Sequence, residues 1–115
     1  MLRTALTLLV ASVLFAGCSD AREDPADLLR KANAGDVEAQ WDLGWMYSDG
    51  SDVPIDYKEA VKWYRKAAEQ GHALAQWQLG FMYDRGTGVT RDEEEAVKWW
   101  RKAAEQGHSI AQNKL

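Results

Sequence analysis

The chain has 115 residues and a net charge of −4, with 14 Lys+Arg against 18 Asp+Glu. That length holds one small domain. The acidic balance, with no basic stripe, argues against a nucleic-acid partner and against attraction to anionic lipid headgroups. Cys18 is the only cysteine, so no internal disulfide can form and stability has to come from packing.

The first predicted element is MLRTALTLLVASVLFAGCSD, one positive residue (Arg3) followed by an apolar run from Thr4 to Ala16. A helix needs about 20 apolar residues to cross a hydrocarbon core of about 30 Å, and this run is too short. Charged start, short apolar middle and small residues at a cleavage point form the layout of a secretory signal over residues 1–17. Phe15-Ala16-Gly17-Cys18 resembles the lipobox of bacterial lipoproteins. That resemblance implies that Cys18 becomes the acylated first residue of the mature chain, whereas an ordinary signal would be cut near Ala16 or Gly17. Ser19 after Cys18 is similar to lipoproteins sorted to the outer membrane of Gram-negative bacteria, whereas Asp20 at the next place counts against that sorting in some bacteria; either way the expected location is periplasmic and lipid-anchored. Residues 18–24 then serve as a tether. Its stretch from Ser19 to Asp24 reaches at most about 20 Å when extended.

Residues 25–115 are expected to form one helical domain. Asp24-Pro25 has the form of an N-cap followed by proline in the first helical turn, and opens a helix through DPADLLRKANAGD. Beyond it the chain repeats itself. Val37–His72 aligns with Ala73–His108 without a gap, with 23 identities in 36 positions. Self-similarity at this period marks a solenoid of helix pairs.

The first helix of each pair carries AQWDLGWMY and then AQWQLGFMY. At 100° per residue Ala39, Leu43 and Met46 fall on one side and Trp41, Gly44 and Trp45 on the other, so both sides have to be buried or used. Gly44 and Gly80 make sense where another backbone approaches closely.

The second helix is amphipathic. Tyr57, Ala60, Val61, Trp63, Tyr64, Ala67 and Ala68 face inward, with Lys58, Glu59, Lys62, Arg65, Lys66 and Glu69 outward. Asp56 with Glu59, and Asp92 with Glu95, have capping-box spacing. Gly71 and Gly107 sit at left-handed stops. Arg65/Glu69 and Glu94/Lys98 are expected as i,i+4 pairs. HSIAQNKL begins another first-type helix, which makes six helices: half a unit, two full units and half a unit.

The string LGxMYxxG, then V, then DxxEAVKWYRKAAEQGH closely resembles the Sel-like repeat, a relative of the tetratricopeptide repeat with a longer internal loop. The resemblance covers about Ala32 to Leu115, with Ala60/Ala96 and Trp63/Trp99 in register. Asp52 departs from the pattern where the second copy has Gly88, which implies a differently turned first loop. The resemblance implies an all-α fold, a short right-handed α/α solenoid of about six helices, and an adaptor that holds other proteins, often in the bacterial envelope.

Carrying over the groove positions of the tetratricopeptide relatives gives Glu38, Trp41, Trp45 and Ser48, then Leu74, Trp77, Phe81 and Asp84, then Ile110 and Asn113. Aromatic residues in such a groove are typical interface hot spots. Trp41 and Trp77 have a second reading, as wedges between units. Asn113 suits a solvent-facing end.

His72 and His108 lie one unit apart with no third ligand, so they are read as helix-boundary residues rather than a metal site. No serine, lysine or cysteine has a nucleophile context, and the Asp92–Glu95 run is a helix start. The expectation is therefore a non-enzyme without cofactors: a monomeric, membrane-tethered module that binds a protein partner. Two other classes remain in view. One is implied by a resemblance to small Sel-like lipoproteins that neutralise secreted antibacterial lipases: an immunity protein against such an effector, where an acidic mature chain would suit a basic toxin. The other is a hydrolase or peptidoglycan-binding protein, which would require a deep polar pocket.

Overall fold

A computed structural model describes residues 24–107, which form five helices and no strand. They are α1 (Pro25–Asn33), α2 (Val37–Asp49), α3 (Tyr57–Glu69), α4 (Ala73–Arg85) and α5 (Glu93–Glu105). The expected sixth helix, the signal segment, Cys18, His108, Ile110 and Asn113 lie outside the described residues.

The helices begin where side chains can satisfy the unpaired N–H groups of a first turn. Asp24, Asp36, Asp56 and Asp92 each accept from backbone N–H groups one turn inside their helix. The capping boxes are only half made. The Asp56 and Asp92 N–H groups donate to the carbonyls of Tyr47 and Tyr83, at 2.9 Å each, instead of to Glu59 and Glu95. This ties the start of each second helix to the end of the first helix in its own unit. Gly71 and Gly107 have positive φ and stop α3 and α5 as expected, and Gly35 does the same after α1.

Each helix packs against its chain neighbours, and two apolar clusters result. Leu28 and Ala32 of α1 meet Ala39, Leu43 and Met46 of α2 and Trp63 of α3 in the first. The second joins Ala60, Val61, Tyr64, Ala67 and Ala68 of α3 to Ala75, Leu79 and Met82 of α4 and Trp99 of α5. α2 is thus covered on the side of Leu43, while Trp41 and Tyr47 lean on the second cluster. No single helix pair hides its own apolar surface, which is why the pattern recurs.

Polar stitches repeat with the same period. The Gln40 amide, buried in α2, donates to the Ala32 carbonyl at 3.0 Å, and Gln76 donates to Ala68 at the same distance. Gln70 and Gln106, each at the end of the second helix of the unit, donate in turn to the side-chain oxygens of Gln40 (2.7 Å) and Gln76 (2.8 Å). A buried amide left without such partners would cost about 1–3 kcal/mol, so these chains fix how one unit sits on the last.

Two expected surface pairs form differently. Arg65 donates to the Tyr83 hydroxyl and lies 5.5 Å from the centre of that ring. Lys98 pairs with Glu95 at 3.0 Å, one residue closer in sequence than Glu94. An i,i+4 pair is worth only about 0.2–0.5 kcal/mol, so a partner in the next unit easily replaces it.

The two loops also differ, as Asp52 implied. Gly88 has φ +75°, and a Cβ there would lie 2.4 Å from the Tyr57 carbonyl oxygen. No described residue other than glycine has positive φ, so the loop at Asp52 follows another backbone path.

Candidate partner-binding face

The groove positions inferred from the sequence lie on α2 and α4, the first helices of the two full units. Glu38, Trp41, Trp45 and Ser48 come from α2; Leu74, Trp77, Phe81 and Asp84 come from α4. Their environments differ. Trp45 is 50% exposed and Leu74 44%, whereas Trp41, Ser48, Trp77, Phe81 and Asp84 are partly covered.

Trp41 is half-buried and leans on the second apolar cluster. Its ring stacks on His72 at 5.2 Å and 22°, meets Tyr64 at 5.2 Å, and touches Trp45 at 6.3 Å. It therefore bridges α2, α3 and the start of α4. Trp77 stacks on Phe81 at 5.9 Å, and its carbonyl accepts from the Trp100 indole at 3.1 Å. Trp45 has the Trp41 ring beside it, at 6.3 Å, and is half exposed.

The histidine reading holds for His72, which is the N-cap of α4. Its Nδ1 accepts from the Ala75 N–H at 3.1 Å, which places the proton of the neutral ring on Nε2. That nitrogen lies 3.4 Å from Glu38 Oε1. A helix start, an aromatic stack and a carboxylate of α2 thus converge on one imidazole.

Tyr64, beneath this cluster, has its hydroxyl 3.3 Å from Ser48 Oγ. Burial pushes its pKa up to about 12, partly offset by that hydrogen bond. The phenol stays protonated at neutral pH and supplies no base. An open depression of about 400 Å³, lined by Lys58, Gly86, Gly88, Val89 and Thr90, lies at the second loop. Two glycines, a valine, a lysine and a threonine line it, which is not the convergence of acid, base and nucleophile that hydrolysis needs.

Sequence reasoning passed over Gln40, Gln76 and the second role of Tyr64. The glutamines did carry a signal: the same polar residue stands beside an invariant tryptophan in both copies, on a helix otherwise apolar at those heights. Tyr64 did not, because tryptophan replaces it in the second copy.

A tandem of helix pairs, stitched at a fixed interval and presenting aromatic side chains from its first helices, defines an α/α solenoid repeat protein. The Sel1 repeat model matches residues 37–72 and 73–108. That is more than half of the chain, which belongs to this family.

Similar solved structures agree. The protective antigen c5321 of uropathogenic Escherichia coli, described as displaying an SLR fold, is 48% identical over 74% of this chain, with a TM-score of 0.72. A Sel1 repeat protein of Oxalobacter formigenes is 47% identical over 70%, with a TM-score of 0.69. Cysteine rich protein B of Helicobacter pylori is 25% identical over 88%, with a TM-score of 0.76. The chain spans 18% of the first protein, 33% of the second and 79% of the third. No curated protein matches it. Sel1 repeat proteins are typically protein–protein interaction modules, and their fold is generally a non-catalytic scaffold.

Proposed function

We propose that this chain is a non-catalytic interaction module that binds a protein partner along the face formed by α2 and α4. One observation carries the reading: Trp45 and Leu74 remain 50% and 44% exposed on helices whose other large apolar residues are buried or half-buried. Large apolar groups held in place by a rigid frame and left in water are typical of a surface that is covered on binding. Beside them Trp41 lies 6.3 Å from Trp45, and Trp77 stacks on Phe81 at 5.9 Å, while Glu38, Ser48 and Asp84 add polar groups on the same two helices.

Trp45→Ala combined with Phe81→Ala is expected to abolish capture of the partner from envelope extracts by the full chain, with helical content unchanged by circular dichroism. Undiminished capture by that variant moves the site to another face. The acidic balance supports a second form of the same reading, an immunity protein whose groove holds a secreted lipase-type effector. The identity of the captured protein separates the two.

The N-terminal pattern supports attachment by lipid on Cys18 in the periplasm, at the outer membrane. The domain would then meet its partner within a short tether of the bilayer. Cys18→Ser is expected to move the protein from the membrane fraction to the soluble fraction, and a protein that stays in the membrane fraction refutes the anchor. Among the described residues no helix is long and apolar enough to cross a membrane.

A further inference from the structure

The two units are near-copies, so the places where they differ in charge are informative. On α2, Glu38, Asp42, Trp45 and Asp49 fall within about 60° of the helix circumference at 3.6 residues per turn. The same four places on α4 hold Leu74, Gln78, Phe81 and Arg85. In the second unit the Arg85 guanidinium carbon lies 4.4 Å from the centre of the Phe81 ring. There the chain supplies its own cation to the ring.

The first unit has the stronger ring and the opposite charge. Indole attracts cations better than phenyl does, and Trp45 is 50% exposed. Asp49 replaces the arginine one turn on. Asp42 lies one turn back on the same arc. Glu38 completes the row, its side chain 72% exposed and one carboxylate oxygen steadied 3.4 Å from His72 Nε2. Helix α2 contains no Lys or Arg.

We infer that the Trp45 face receives a cationic side chain, arginine or lysine, from the protein partner, in the seat that Arg85 fills on Phe81. The inference rests on the α2–α4 groove being the binding face, and it names the chemistry of what binds there. A guanidinium suits the site best. It lies flat on an aromatic face while its edge donates to carboxylates, so one group meets both the ring and the acids beside it. A carboxylate row serving only solubility would have no need of a half-exposed indole at its centre.

The test is a titration of ¹⁵N-labelled full chain with acetylated, amidated tri-arginine, and with tri-serine and tri-glutamate peptides of the same form. Tri-arginine is expected to shift the indole N–H signal of Trp45, assigned with Trp45→Phe, and to do so less at high salt. Asp49→Arg places the residue of the second unit into the first. It is expected to weaken tri-arginine binding at least about fivefold, as one exposed cation–π contact and one charge reversal would, while circular dichroism stays unchanged. Equal shifts with tri-serine, an unmoved Trp45 signal, or undiminished binding by Asp49→Arg overturns the inference.

Partner capture separates this from the groove reading. If Trp45→Ala with Phe81→Ala abolishes capture and Asp49→Arg does not affect it, the groove binds by apolar contact and the cation seat is wrong. If neither change affects capture, both readings fall.

Discussion

Trp63→Ala is expected to cost about 3–5 kcal/mol of folding stability, the range for removing a buried large aromatic, as read by urea unfolding. Trp63 is 2% exposed and is the α3 residue of the first apolar cluster, packed with Leu28 and Ala32 of α1 and Leu43 and Met46 of α2. Small domains hold only about 5–15 kcal/mol in total, so the variant should be largely unfolded at modest denaturant. Trp63→Phe should cost less than half as much. The Trp63 indole N–H is buried with no acceptor, and losing it removes an unmet donor while keeping most of the apolar contact. The Lys62 and Lys66 ammonium groups, 5.2 and 4.8 Å from the ring centre, would still find an aromatic face. A Trp63→Ala protein within about 1 kcal/mol of the parent would mean that this cluster does not hold α1.

Gly80→Ala should destabilise by about 2 kcal/mol although alanine is the better helix former by about 1 kcal/mol. A Cβ at Gly80 would lie 2.6 Å from the Trp100 ring and 3.0 Å from the Ala96 carbonyl oxygen, so α5 has to move away. At Gly44 the three nearest atoms all belong to the Tyr64 ring, the first 2.5 Å away. Gly80→Ala should therefore cost more than Gly44→Ala, because a backbone carbonyl yields less readily than a ring. Thermal melts should show a drop on the order of 10 °C for Gly80→Ala. An unchanged or raised Tm would show that α4 and α5 approach less closely than described.

Much of this architecture is legible in the residues themselves. The caps at Asp24, Asp56 and Asp92 and the glycine stops fix the helix ends locally, because a capping side chain reaches only one turn. The repeat then forces the stacking, since no helix pair covers its own apolar side. What was not legible crosses between units. Arg65 reaches Tyr83 eighteen residues away, and nothing in a helical wheel distinguishes that from the nearer Glu69. Periodicity places Trp41 and Trp45 on one face of α2 and cannot say that the first is pinned by His72 and Tyr64 while the second is left to water. The charge inversion from Arg85 to Asp49 was visible in the aligned copies. The placement of Arg85 over the Phe81 ring was not.

The amide chains through Gln40 and Gln76 carry a consequence for size. Each seam closes with groups from its own unit and from the unit just before it, and asks nothing of more distant parts. Another 36-residue block spliced in at such a seam would find its sockets already cut. The molecule is built like shelving, extensible one bracket at a time, and lengthening it would multiply the surface available to a guest without redesigning any joint.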